Sequence, residues 1–209
     1  MVTPLHAKLF RDLWRIKGQA LAIMVVIGIG VALQVMMSGL VASLSQTRDT
    51  YYERHQFADI FAPVVRAPEH IASRLRNIAG VAAIDTRVSG VALIDVESRA
   101  LPVSARILSL SPDSHPQLNE VLLTSGRLPE PDNAQEVILL HGFASAHNIH
   151  PGQQISVTLN GAQRNFDVVG TAQSPEFIYY AAPGEMIPDD ARFGVIWIAR
   201  PTLAAALDL

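Results

Sequence analysis

Three histidines, His141, His147 and His150, lie close together in the chain. His147 and His150 stand three apart, a spacing that could put both on one helix face. A metal site would also need a nearby carboxylate and a fixed scaffold, and Pro151-Gly152 breaks the segment at once, so these read as surface or loop histidines. Asp189-Asp190, with Glu185 nearby, could form an acid pair or calcium ligands; the plainer reading is a solvated loop. His141-Gly142 resembles the start of an oxyanion-hole motif, but no nucleophile elbow accompanies it. The sequence contains no P-loop, GxSxG, HExxH or GxGxxG. Cysteine is absent, which excludes a thiol nucleophile, a Cys-ligated zinc site and any disulfide. No catalytic residue, metal ligand or cofactor is expected, and the chain does not read as an enzyme.

The strongest chemical demand comes from residues that carry no charge. Between 18 and 47 there is no Asp, Glu, Lys, Arg or His. As a helix, residues 20–44 rise roughly 38 Å, against about 30 Å of hydrocarbon in a bilayer. Lys8, Arg11, Arg15 and Lys17 precede the run against Asp12 alone, so the positive-inside rule places 1–17 in the cytoplasm, 18–47 across the membrane and 48–209 outside it. Trp14 on one side and Tyr51 and Tyr52 on the other suit the interfacial belts. A cleavable signal has an apolar core of about 7–15 residues; this run is about twice as long and reads as a retained anchor. Projected at about 100° per residue, Gly28, Ala32, Gly39 and Ser43 fall within about 60° of one another, a stripe of small residues that lets helix backbones approach in lipid. Gln34 and Ser38, with Ser45, lie on roughly the opposite side, and a glutamine in mid-membrane needs a partner. Two unlike faces point to a helix packed between other transmembrane helices; the plainer reading is a simple anchor, since Gly, Ala and Ser are common in any transmembrane helix and one Gln is tolerated. No second uncharged run approaches spanning length, so those helices must come from other chains or from a continuation of this one.

The chain has 209 residues, 49% hydrophobic and 17% charged, enough beyond residue 51 for one domain with its own core or two small lobes. After Lys17 there are 12 basic and 18 acidic residues and no basic stripe, which argues against nucleic acid. Residues 46–56 read as a helical extension of the span. Residues 57–62 alternate and carry aromatics, which predicts a strand. A helix is expected over 67–79, ended by Gly80, then strands over 81–96 and 101–110 joined by a turn at 97–100. Loops are expected at 111–116 and 126–133, a short buried strand at 136–140, and a small helix at about 143–148. Residues 154–159 alternate, Asn160-Gly161 follows, and a second strand carries Phe166, Val168 and Val169: a hairpin signature. Residues 174–192 are long and irregular, which in a compact domain points to function or mobility. An apolar strand at 194–199 and a helix from Pro201 complete the chain. The last helix has no stop signal, so a C-terminal truncation is expected. The whole reads as α+β with strands in the majority.

Leu9-Phe10-Arg11-Asp12-Leu13-Trp14-Arg15, then Gly18-Gln19-Ala20-Leu21-Ala22-Ile23 and a span, then Arg48-Asp49-Thr50-Tyr51-Tyr52 and Phe57-Ala58-Asp59-Ile60-Phe61, resemble the first segment of an FtsX/MacB-like ABC transporter permease. Gly126-Arg127-Leu128-Pro129, Glu136-Val137-Ile138-Leu139, Pro151-Gly152-Gln153 and Val168-Val169-Gly170 are similar to that family's periplasmic core. Each motif alone is weak; their order and spacing carry the resemblance. It implies one transmembrane helix followed by a mixed α/β periplasmic domain with a small β-rich lobe, in a bacterial inner-membrane permease subunit. It implies as partners a separate cytoplasmic ABC ATPase, engaged through permease segments that this chain lacks, the permease's other transmembrane helices, and a periplasmic adaptor as a further candidate. The implied role is to couple ATP hydrolysis to motion of the periplasmic domain, in export or extraction of a lipidic, lipoprotein or other envelope substrate. The alternative is a singly anchored periplasmic binding or scaffold module.

Overall fold

The uncharged run folds as part of one α-helix, α1 (Lys17–Arg54). The computed structural model describes residues 8, 11–12, 14–68, 70–96, 101–111, 118–181 and 186–209. The chain divides into two units, Met1–Tyr51 and Tyr52–Leu209. In the first, every residue from 21 to 44 is exposed. Among the described residues α1 is the one helix long and apolar enough to cross a membrane. A helix satisfies its backbone polar groups internally, the condition for crossing hydrocarbon. Ser38 Oγ donates to the Gln34 carbonyl at 2.6 Å and Thr47 Oγ1 to the Ser43 carbonyl at 2.9 Å, so both hydroxyl protons are used within the helix. The extension expected over 46–56 continues the same helix to Arg54.

The second unit is built on one seven-stranded sheet: β1 (Ser89–Asp95), β2 (Val103–Ser109), β3 (Leu122–Gly126), β4 (Glu136–Leu140), β5 (Gln154–Leu159), β6 (Ala162–Gln173) and β7 (Phe193–Ile198). Its order is β3-β6-β4-β7-β2-β1-β5, and β5 also pairs with β6. Six strands therefore close into a ring, with β3 attached outside the cycle. The long β6 makes the closure: residues 162–167 pair with β5, residues 167–172 with β4 and residues 170–173 with β3. Its two edges are visible in adjacent residues. The Asp167 N–H donates to Gln135 O at 2.7 Å on the β4 side, and the Val168 N–H to Gln153 O at 2.8 Å on the β5 side.

The β5–β6 hairpin turns at Asn160 (φ +50°) and Gly161 (φ +77°), the left-handed pair that the Asn-Gly dipeptide predicts. Ile155, Val157 and Leu159 alternate inward. β4 and β7 are buried along their whole length and, apart from Glu136 at the start of β4, are apolar throughout, as strands covered on both faces must be. Helix α3 (His141–Ala146) packs on β4, β6 and β7, and helix α4 (Arg200–Ala206) on β2. Phe143 of α3 sits with Ile94 and Ala105 around Gly194, where any side chain would meet Ile94 Cδ1 at 2.8 Å. The mixed α/β class expected from the sequence is the one observed.

Several expected elements differ. Residues 57–62 are not a strand: the Ala58 N–H is taken by the Asn119 side chain rather than by a ladder. The helix expected over 67–79 is the shorter α2 (His70–Arg76), with Gly80 at φ +94° beyond it. Strands β1 and β2 pair antiparallel over shorter spans than expected, and their turn at 97–100 lies outside the described residues, as do 112–117 and 182–185. Strand β3 was not expected at all.

The tightest point of the fold is where β3 crosses β6. The β4 pairing steps from Val168 to Gly170, leaving Val169 as a bulge on β6. The Val169 carbonyl accepts the Arg127 N–H at 3.0 Å. Gly126 has φ +80°, and a Cβ there would lie 2.2 Å from Val169 O; one on Gly170 would lie 2.6 Å from Arg127 O. Gly126→Ala is expected to destabilise the domain by at least about 2 kcal/mol, from a left-handed backbone plus a clash with main chain that cannot swing away. Chemical denaturation checks this; a loss under about 0.5 kcal/mol would contradict the crossing as described.

Candidate functional site

The candidate chemical residues of the sequence do separate structural work. His141 Nδ1 lies 3.4 Å from Thr171 Oγ1, and His147 Nε2 lies 2.9 Å from the Ala191 carbonyl. The backbone N–H of His150 donates to Gln153 Oε1 at 2.7 Å. The Asp189 carboxylate accepts the Ala191 N–H at 2.9 Å and faces Arg192 Nε at 3.4 Å, while the Asp190 carboxylate abuts Gly142. Glu185 lies outside the described residues. Among the described residues no three His, Asp or Glu side chains converge to hold a metal.

Part of the irregular 174–192 segment is packed. Phe177 lies edge-on to Trp197 at 5.8 Å and Tyr180 tilts over Phe193 at 4.6 Å, so the segment covers β7. Glu176 pairs with Arg87, which also faces Asp85 at 3.8 Å; Ser111 Oγ donates to Asp85 at 3.0 Å. Another ion pair closes the 126–136 loop. The buried Glu136 carboxylate receives both Arg127 guanidinium nitrogens, one at 2.7 Å, and the Glu130 N–H at 2.9 Å. Arg127, then that N–H, hold the Glu136 carboxyl down at about 2.

The α1 residues expected to make contacts, Gly28, Ala32, Gly39, Ser43, Gln34 and Ser38, are all exposed, and a Cβ at Gly28 or Gly39 would meet nothing within 4 Å. Helical geometry keeps the small-residue stripe and the Gln34–Ser38 stripe on different faces.

The site that the sequence did not reveal is the end of that helix. The Gln56 N–H donates to the Glu53 carbonyl at 3.3 Å and the Phe57 N–H to the Tyr52 carbonyl at 2.9 Å, with Gln56 left-handed at φ +47°. This is a Schellman ending, completed by the stacked rings of Tyr52 and Phe57, whose centroids are 4.6 Å apart at 19°. A second strand of contacts arrives from the start of β3. The Asn119 N–H donates to Gln56 O at 2.9 Å, and Asn119 Oδ1 accepts the Ala58 N–H at 2.9 Å. The Glu120 N–H donates to His55 O at 3.3 Å, and His55 Nδ1 pairs with Glu120 Oε2 at 3.1 Å. Asn119 is 3% exposed and left-handed at φ +51°, a conformation asparagine tolerates. The one local signal was an asparagine suited to positive φ; a partner some sixty residues earlier leaves no local trace.

Two outcomes are expected. Glu136 has its carboxyl lowered on folding, so its contribution is complete above the unfolded value of 4.5 and is lost as pH falls toward about 2. Melting midpoints measured across that window should fall more steeply in the native chain than in Glu136→Gln; equal slopes would contradict the assignment. At the helix end, Gln56→Gly relieves a left-handed backbone and should stabilise by up to about 1 kcal/mol, while Gln56→Val should lose about 1–2 kcal/mol. Thermal unfolding of the full chain in detergent checks both signs.

The family model described as MacB-like periplasmic core domain matches residues 20–205. Among solved structures, the chain is similar to the periplasmic region of MacB from Actinobacillus actinomycetemcomitans, at 16% identity over 66% of this chain and 57% of that one, with a TM-score of 0.37. It is also similar to the extracellular domain of the noncanonic ABC-type transporter YknZ from Gram-positive bacteria, at 11% identity over 74% of this chain and 75% of that one, with a TM-score of 0.42. The chain thus spans little more than half the length of the MacB region it matches. None of the curated proteins matches it. The family match takes in α1 from Ala20 onward and all seven strands of the sheet, and the chain belongs to the ABC transporter family that carries the MacB-like periplasmic core domain.

Proposed function

We propose that this chain is the N-terminal part of an ABC transporter permease subunit. In this reading α1 crosses the inner membrane with its N-terminus in the cytoplasm, and the sheet domain stands in the periplasm. ATP is hydrolysed by a separate cytoplasmic ATPase, and the periplasmic domain moves in response, driving export or extraction of an envelope substrate. The observation that carries the reading is α1 itself: a helix whose central run, residues 21–44, is uncharged and exposed throughout, joined in one chain to a periplasmic-core domain. An apolar surface of that extent is not stable in water. The flanking charge, four cations before the span against one acid, supports the orientation.

The two stripes on α1 support lateral packing. Gly28, Ala32, Gly39 and Ser43 offer close backbone approach, and Gln34 offers an amide that gains from a polar partner in lipid. Ser38 contributes its hydroxyl oxygen as an acceptor, since its proton is held by the Gln34 carbonyl.

Alkaline-washed membranes should retain the chain, and protease added to spheroplasts should digest the domain while sparing an N-terminal tag. Recovery of the intact chain in a detergent-free soluble extract would overturn the reading. Gly28→Leu combined with Gly39→Leu should leave membrane retention unchanged and lower co-purification with the other permease helices and the ATPase several-fold. If the unmodified chain, expressed in its own host, retains a defined soluble periplasmic protein and neither permease helices nor an ATPase, it is instead a singly anchored binding or scaffold module.

A further inference from the structure

We infer that Asn119 is a positioning residue that makes the end of α1 and the start of β3 one mechanical element. The inference rests on the proposed coupling role for its purpose, and on the geometry of the second unit alone for its existence.

The covalent route from the helix end to the sheet is unsuited to transmitting force. From residue 59 to residue 82 every described residue but Ala72 is exposed, with Arg66 donating to the Asp208 carbonyl; the chain is next anchored at Asp85 and Arg87, which meet Ser111 and Glu176 just before β1. Ile60, Val64 and Val65 are exposed, and α2 buries nothing. A tether with so little packing absorbs displacement by local opening. The route through Asn119 is short and anchored at both ends. On one side it holds Gln56 O and the Ala58 N–H, within four residues of the last helical residue, Arg54. On the other, Val121 packs against the core and β3 begins at Leu122. β3 then enters the β6 crossing at Gly126, where main chain meets main chain.

The side chain is specific for this task. A backbone N–H can face only the amide oxygen, so Ala58 determines the orientation of the Asn119 amide. Ala58 is buried, and its N–H would lose its partner if the amide were removed. The left-handed backbone at Asn119 lets its own N–H reach Gln56 while its side chain reaches Ala58. Asn119→Gly keeps that backbone and deletes the link. Asn119→Asp keeps both the acceptor and the tolerance for positive φ.

The chain has no cysteine, so Glu53→Cys and Thr124→Cys can carry a single pair of spin labels on the full chain in nanodiscs. The native background should give a narrow distance distribution, Asn119→Gly a broad one, and Asn119→Asp a narrow one again. An equally narrow distribution in Asn119→Gly, or a broad one in the native background, would overturn the inference. Amide exchange supplies a second test that needs no variant: the Ala58 amide should exchange at least about tenfold more slowly than those of the exposed 60–65 segment, the factor one buried hydrogen bond implies. Exchange at equal rates would equally overturn it. Neither measurement involves an ATPase, so the clasp can fail while the permease reading stands, and the reverse.

Discussion

Strand β6 holds three other strands along its length, and the rest of the domain depends on how it accommodates them. Along its twelve residues it pairs with β5, β4 and β3. A regular strand alternates its hydrogen-bonding edge with each residue; one edge of β6 passes from β5 to β3 while β4 holds the other, and a local irregularity accompanies the transfer. The bulge at Val169 provides it, and the absence of side chains at Gly126 and Gly170 lets the third strand approach. Closing the ring leaves β4 and β7 deep in the structure with both faces covered, and their sequences, apolar apart from Glu136, follow from that position.

The two units divide the physical work. Between residues 21 and 44 α1 is uncharged and exposed, an apolar surface suited to lipid. The polar groups of the sheet domain are committed to holding segments in place: Arg127 and Glu136 close a loop, Arg87 and Glu176 fasten the aromatic segment over β7, and Asn119 joins the helix end to β3. Buried polar groups used in this way give definition to a structure more than net stability, because each must regain the hydration it lost.

Local patterns were legible wherever one short stretch decided its own conformation. The Asn160-Gly161 hairpin, the alternation of Ile155, Val157 and Leu159, and the buried run at β4 all formed where their residues required. The segment at 57–62 misled because alternation with aromatics describes a strand only if a neighbouring strand exists; here Phe57 serves the helix ending and Ala58 the Asn119 amide. Strand β3 escaped notice because Leu122-Leu123-Thr124-Ser125-Gly126 has no clean alternation, and it exists because β6 offers it an edge. The histidines and the Asp189-Asp190 pair read as surface or loop residues in the sequence, which could not name the contacts that His141, His147 and Asp189 make.

By itself, then, the amino-acid sequence determined the long apolar helix, the charge asymmetry of its flanks, the strand-rich class and the family. These properties are sums over contiguous residues, or motifs in linear order, and need no knowledge of what lies beside them in space. Only the tertiary structure decided that the sheet closes through β6, that Gly126 and Gly170 are obligatory, and that Asn119 meets the end of the helix. Each of those depends on segments distant in sequence arriving at one point, and a contact of that kind is specified by the whole chain rather than by either of the residues that make it.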